Sequence, residues 1–152
     1  MEKKEGVYQG ISYKEFGEHV KNIALGLASL GVQADDRVAL MSANRKEWAI
    51  ADLGILALGA TNVPIYPTIT PEQIQYILAD SGTKIIIISD QEMADKIVAI
   101  YDKLPELQTV VYMDPLENPA DYMLSFEALA EKGKDFAETH PGYYDDVTSQ
   151  VK

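Results

Sequence analysis

Cysteine is absent from the 152 residues, which excludes disulfides and thiolate metal sites. That absence fits a reducing compartment, and a cytoplasmic location is the expectation. Basic residues are scarce, with 13 Lys and Arg against 24 Asp and Glu and a formal net charge of −11. Nucleic acid is therefore not an expected partner, because phosphate binding needs a basic surface. Charge of this sign serves solubility. Long apolar runs are also missing. The longest, Trp48 to Ala60, is interrupted by Asp52 and falls short of a bilayer-spanning helix, so no transmembrane segment is expected. The opening "MEKKEGVYQG" lacks the apolar core of a signal peptide. Neither G-x-G-x-x-G nor G-x-x-x-x-G-K-[ST] occurs, so the glycine loops that wrap phosphate are not present.

What is present patterns as one α/β unit. Apolar residues make up 47% of the chain, enough for a globular core. Ser12 and Glu15 form a capping-box pattern ahead of Tyr13, Phe16, Val20, Ile23, Leu27 and Leu30, a helical stripe closed by Gly31. "RVALM", Arg37 to Met41, predicts a strand covered on both faces. Asn44, with Glu47 three residues on, caps a helix over roughly Arg45 to Leu58. This helix is apolar nearly all round, which predicts burial between other elements. "TNVPI" reads as a strand, and Pro64 places it at an edge or an early end. Thr70-Pro71 starts a helix that Ser81-Gly82 ends. "KIIIIS", Lys84 to Ser89, is a strand on the sterics of four isoleucines. Asp90 caps a helix carrying Met93, Ile97, Ile100 and Leu104, and "TVVYM" follows as a strand. Alternation at this spacing implies parallel βαβ units with right-handed crossovers, hence an α/β fold with a mainly parallel sheet. The core is placed at 1–112. Beyond it, in 113–152, "DPLENPADYM" reads as a loop, Ser125 to Lys134 as a short helix and "THPGYYDDVTSQVK" as a tail.

Residues able to carry chemistry are few, and no catalytic or metal-binding group is assigned. His19 lies off the apolar stripe and His140 beside Pro141-Gly142, so both read as solvated surface residues. The pairs Asp35-Asp36 and Asp145-Asp146 are loop neighbours that do not converge on one ion. The best anion position is "SANRK", where a strand end meets a helix N-terminus and Asn44, Arg45 and Lys46 are the cofactor-binding candidates. Tyr66 and Thr68 are the substrate-binding candidates, because ligands of open α/β sheets bind at the carboxyl ends of strands. Asp52, odd in an apolar helix, is expected to reach a neighbouring backbone amide.

The motif series Asn44, Glu47-Trp48, Gly59-Ala60, Val63-Pro64, Tyr66-Pro67-Thr68, Asp80-Ser81-Gly82 and Ile85 to Ile88 resembles the AMP-forming acyl-CoA synthetase family, the adenylate-forming enzymes. Upstream, "ISYKEFGEHVKNIALGLASLGVQADDRVAL" is similar to the family's entry segment. The resemblance is close over Ile11 to Tyr112 and looser beyond, and the "YPT" turn with Trp48 points to the long-chain fatty acid branch. It implies an incomplete N-terminal subdomain of the adenylate-forming fold. It also implies a parent ligase that uses ATP and Mg²⁺ to make an acyl-adenylate and then passes the acyl group to coenzyme A. The family's phosphate loop, T-S-G-T-T-G-x-P-K-G, does not occur in this sequence. "YYDDV", Tyr143 to Val147, resembles the lead-in to that loop, but "TSQVK" follows, and Thr148-Ser149 lacks the glycines a phosphate wrap needs.

The expected partners are accordingly the remainder of such a parent and, in that parent, a fatty acid, with peripheral membrane contact open to it. No cofactor is assigned to the chain itself, and it is expected to be inactive alone. The alternative is a stand-alone remnant acting through protein–protein contact or small-molecule binding without catalysis. Self-association through an exposed subdomain face belongs to that alternative.

Overall fold

The computed structural model of the protein describes residues 13–42, 46–66 and 68–150. Ser12, Asn44 and Arg45, the expected helix caps and anion ligand, and Pro67 of the "YPT" turn lie outside them. Helix α1 covers Tyr13–Ser29, strand β1 Arg37–Met41, α2 Lys46–Ala57, β2 Thr61–Pro64, α3 Pro71–Ser81 and β3 Ile85–Ile88. Then come α4 at Gln91–Ile100, β4 at Thr109–Tyr112, β5 at Met123–Ser125, α5 at Phe126–Thr139 and α6 at Tyr143–Gln150.

The five strands form one parallel sheet in the order β2-β1-β3-β4-β5. Its centre is β3, whose four isoleucines are all at most 3% exposed, as a strand covered on both faces requires. One face, carrying Val38, Leu40, Ile85, Ile87 and Val111, packs under α1, α2 and α5. The other, carrying Ala39, Met41, Ile86, Ile88 and Val110, packs under α3 and α4. This division is what right-handed crossovers demand. The chain moves from β1 to β2 in one direction and from β3 to β4 in the other, so α2 and α4 must cover opposite faces.

Local chemistry sets the element ends. Thr70 and Gln73 close a reciprocal capping box at the start of α3, with Pro71 in the first turn. Gly82, at φ 66°, ends that helix in the left-handed region. The Asp90 carboxylate accepts from the Met93 amide at 3.2 Å and starts α4. Pro64 stands in the edge strand, as its missing donor predicts.

Four expectations need correction. The expected loop "DPLENPADYM", Asp114 to Met123, is not loop throughout, because it runs into β5 at Met123–Ser125, which pairs with β4 through Val110↔Met123 and Tyr112↔Ser125. The short helix over 125–134 extends to Thr139, capped by Ser125 Oγ on the Ala128 amide at 3.0 Å. The expected tail contains α6, and the acidic pair Asp145-Asp146 lies in its first turn, where the resemblance implied an approach to a strand. There Tyr143, Tyr144 and Val147 pack against the core under α1, α2 and α5, which gives the helix its apolar side. Finally, α2 is not enclosed: Ile50, Ala51, Gly54 and Ile55 are buried, but Leu53 and Leu56 are 43% and 44% exposed. Among the described residues no helix is long and apolar enough to cross a membrane.

Candidate functional site

In an open parallel sheet, ligands favour the carboxyl ends of strands where neighbouring connections leave in opposite directions. Here that point lies between β1 and β3. The register Met41↔Ile88 and Ile88↔Tyr112 carries on into Ser42, Ser89 and Met113 as one cross-strand row. Ser42 and Ser89 are 7% and 5% exposed. The Ser42 hydroxyl reaches across β3 to the Met113 sulfur, 3.9 Å away. The Met113 and Asp114 amides donate to the carbonyls of Ile88 and Ser89 at 3.0 and 2.9 Å, so the β4 end is tied to β3 past the last ladder pair.

Above the face under α1, α2 and α5, a cavity of about 420 Å³ opens between the middle of α1 and the N-terminal turns of α2 and α5. Its apolar lining includes Ile23, Ile50 and Phe126, and its rim carries His19, Lys46 and Glu127. Lys134, also on the rim, pairs with Glu131 at 3.1 Å. The helix starts meet here because α5 crosses α1 at two glycines. A Cβ on Gly133 would collide with the Asn22 carbonyl, and one on Gly26 with the Leu129 carbonyl. A smaller hollow of about 210 Å³ lies at the opposite, amino edge of β1 and β3, beside Arg37 and Lys84.

Of the candidates from sequence, Lys46 lines the larger cavity and is exposed. Tyr66, 79% exposed, and Thr68 follow β2 at the same end of the sheet, but neither lines that cavity. Lys96 Nζ holds this turn by donating to the Ile69 carbonyl at 3.2 Å. His19 is exposed, as expected, yet it also sits on the cavity rim. His140 stacks on Phe136 at 4.1 Å between ring centroids and meets Thr139 Oγ1 at 2.8 Å, a helix-end arrangement with no carboxylate partner among the described residues. Asp52 does not bond a backbone amide; its carboxylate accepts from Asn62 Nδ2 at 2.6 Å. Thr148 and Ser149 turn their hydroxyls back onto the carbonyls of Tyr144 and Asp146 inside α6.

Sequence reasoning missed Ser89, Met113 and the α5 wall of the cavity. Ser89 and Met113 were legible as the residues after two strand ends, had the strand register been available. The α5 wall depends on a helix crossing that no local pattern announces.

Two tyrosines have shifted ionisation. Burial pushes Tyr122 above the usual tyrosine range, helped by the negative charges that Tyr101 and Asp102 would place beside a phenolate. Burial does the same to Tyr144, with Asp145 adding to it. Neither tyrosine lines the cavity. Among the described residues no group of three carboxylates or histidines converges to hold a metal ion. The site offers hydroxyls, mixed charge and an apolar hollow, which suits binding, and its described residues present no nucleophile with an oriented base.

Comparison with known proteins agrees over nearly the whole chain. The sequence pattern of AMP-binding enzymes matches residues 3–147. A long-chain-fatty-acid–CoA ligase of Mycobacterium bovis is 40% identical over 107 residues, 70% of this chain and 18% of that protein. A long-chain-fatty-acid–CoA ligase of Bos taurus is 32% identical over 139 residues, 90% of this chain and 19% of that one. Among solved structures, an anthranilate CoA ligase in complex with anthranoyl-AMP superposes with a TM-score of 0.74 at 28% identity, covering 81% of this chain and 23% of the ligase. The chain thus spans about a fifth of the length of the curated relatives it matches.

Proposed function

Since the chain belongs to the AMP-binding enzyme family, we propose that it is the N-terminal α/β layer of an AMP-forming long-chain fatty acid–CoA ligase. In such an enzyme, ATP and Mg²⁺ convert the acid to an acyl-adenylate, and coenzyme A takes the acyl group. The match across residues 3–147 carries this reading, and the shared fold with an adenylate-forming ligase supports it.

Among the described residues, none are arranged to hold the nucleotide. The sequence has no glycine-rich phosphate loop, and the described residues bring no metal-binding cluster together. No step of the reaction is therefore assigned to this chain, which acts as scaffold. We read the subdomain core as lying within 1–112, with Leu129 of α5 and the apolar side of α6 packed onto it, and 113–152 as leading toward the family's phosphate-loop region. Lys46, Tyr66 and Thr68, beyond the carboxyl ends of β1 and β2, are where it would border a ligand held by the rest of the enzyme.

Incubating the purified chain with ATP, coenzyme A and palmitate is expected to release no AMP above a protein-free blank. Reproducible turnover that follows the chain through purification would overturn the scaffold reading.

A further inference from the structure

We infer that the hollow at the amino edge of β1 and β3 binds a phosphate group, carried by inorganic phosphate or by a small phosphate monoester. The hollow lies at the end of the sheet away from the expected ligand end, and its chemistry is independent of the family reading. Strand register builds it. Val38 pairs with Ile85 and Ile85 with Thr109, so one step earlier Arg37, Lys84 and Gln108 stand side by side. The Gln108 amide donates to the Lys84 carbonyl at 2.7 Å and fixes that alignment. Neighbouring strands run about 4.8 Å apart, so two cations are held close together in one row. All three residues line the hollow of about 210 Å³.

Like charges side by side in a sheet are destabilising unless something offsets them. The chain has 13 basic residues against 24 acidic ones, so acidic partners are plentiful. Yet among the described residues neither Arg37 nor Lys84 forms an ion pair. Asp36, the one carboxylate in the lining, accepts from the Gln33 amide at 2.8 Å and serves its own turn. Glu106 stands behind Gly82, its Oε1 3.2 Å from where a Cβ on that glycine would lie, and it does not line the hollow. The Arg37 guanidinium is already aimed. Its Nη1 donates to the Ser81 carbonyl at 3.1 Å, which leaves the Nε–Nη2 edge for a bidentate oxyanion. Gln108 adds a neutral amide donor. Gly31 and Gly82, at φ 99° and 66°, leave two corners of the hollow without side chains. A phosphate group carries a charge of about −1.5 to −2 and three acceptor oxygens, so it takes fork, point charge and amide at once. A carboxylate has one charge and two oxygens, and leaves one donor unused.

The test titrates the chain with inorganic phosphate and, separately, with glycerol phosphate, by calorimetry at an ionic strength held constant with chloride. Lys84→Gln and Arg37→Gln are compared with Lys132→Gln, which removes the same charge from an exposed position on α5. Circular dichroism establishes that each variant is folded. Wild type and Lys132→Gln are expected to bind one phosphate per chain. Each site variant is expected to bind it about tenfold or more weakly, the loss that follows one charge-assisted contact. Acetate at the same ionic strength should not compete. Binding of both probes assigns the site to phosphate monoesters as well as the free anion, and binding of inorganic phosphate alone assigns it to the free anion.

Stability gives a readout without ligand. At low salt and without phosphate, Lys84→Gln is expected to unfold at the same or a higher urea concentration than Lys132→Gln, because it removes the like charge beside Arg37. A lower midpoint means that Lys84 already has its counter-charge within the chain, as Glu106 would provide, and overturns the inference. So does the absence of saturable binding by either probe up to about 10 mM, or equal binding by Lys84→Gln and Lys132→Gln. Displacement of phosphate by acetate or chloride reduces the row to general charge screening and overturns it as well.

Discussion

At the scale of single residues, the cavity depends on two glycines. Gly26 and Gly133 bring α1 and α5 close enough that a Cβ on Gly133 would also lie 2.9 Å from the Gly26 nitrogen. Alanine in a helix interior normally gains about 1 kcal/mol over glycine. Here the obstacle is backbone, which cannot rotate away, and overpacking of this kind costs about 1–3 kcal/mol or more. Gly133→Ala should therefore lower stability, while Gly17→Ala, where nothing lies within 4 Å of the added carbon, should raise it by about 0.5–1 kcal/mol. Urea unfolding decides between them, and a Gly133→Ala midpoint at or above that of wild type would disprove the close crossing. In the sequence, Gly133 reads only as a weak position in a helix. What makes it informative is Asn22, more than a hundred residues away in the chain, so its role was not legible there.

At the scale of elements, β2 shows how one residue ends a sheet. Pro64 stands where the strand's nitrogens point to solvent, so its missing hydrogen costs no ladder bond and denies one to any newcomer. Thr61 and Ile65 donate inward to Asp36 and Leu40, so replacing Pro64 with valine restores an outward donor beside that of Asn62. Pro64→Val is expected to remain folded but to self-associate with rising concentration through paired edges. Analytical ultracentrifugation that finds the variant as monomeric as wild type would remove Pro64 from this role. This edge was legible from the sequence because proline is a local rule. So were β3, from its isoleucines, and α3 and α4, from Thr70-Pro71 and Asp90. The failures share another cause. β5 is three residues long with every side chain only half-buried, so it has neither the length nor the apolar run that marks a strand. α6 is polar apart from Tyr143, Tyr144 and Val147, and its order comes from docking those three on the core rather than from propensity.

At the scale of the whole molecule, one sheet carries two cores, and an excess of acid surrounds both. The sheet end where a ligand would sit was legible, since βα units fix which end that is. The cavity was not, because its walls come from helices that meet only in three dimensions. The same two-sided plan sets how the protein meets alkali. Tyr122 packs against the core under α3 and α4, stacked on Tyr101 at 3.6 Å, and Tyr144 packs against the core under α1, α2 and α5. Both are raised above the ordinary tyrosine pKa of about 10, chiefly by burial. An acid whose folded pKa is raised stabilises the folded state fully below its unfolded pKa. That contribution is lost as pH rises from about 10 through the folded value, because the unfolded chain ionises first. Each phenolate also adds negative charge to a chain already at −11, so repulsion acts in the same direction. The two effects separate with salt, which screens repulsion between exposed charges and leaves the cost of burying a phenolate in place. Stability measured by urea unfolding should thus be flat in tyrosine ionisation at neutral pH and fall above about pH 10 at high salt as well as low. The Tyr122→Phe/Tyr144→Phe variant should show a shallower fall at high salt. If its decline matches that of wild type there, the two partly buried rings are not what alkali attacks, and general repulsion carries the effect alone.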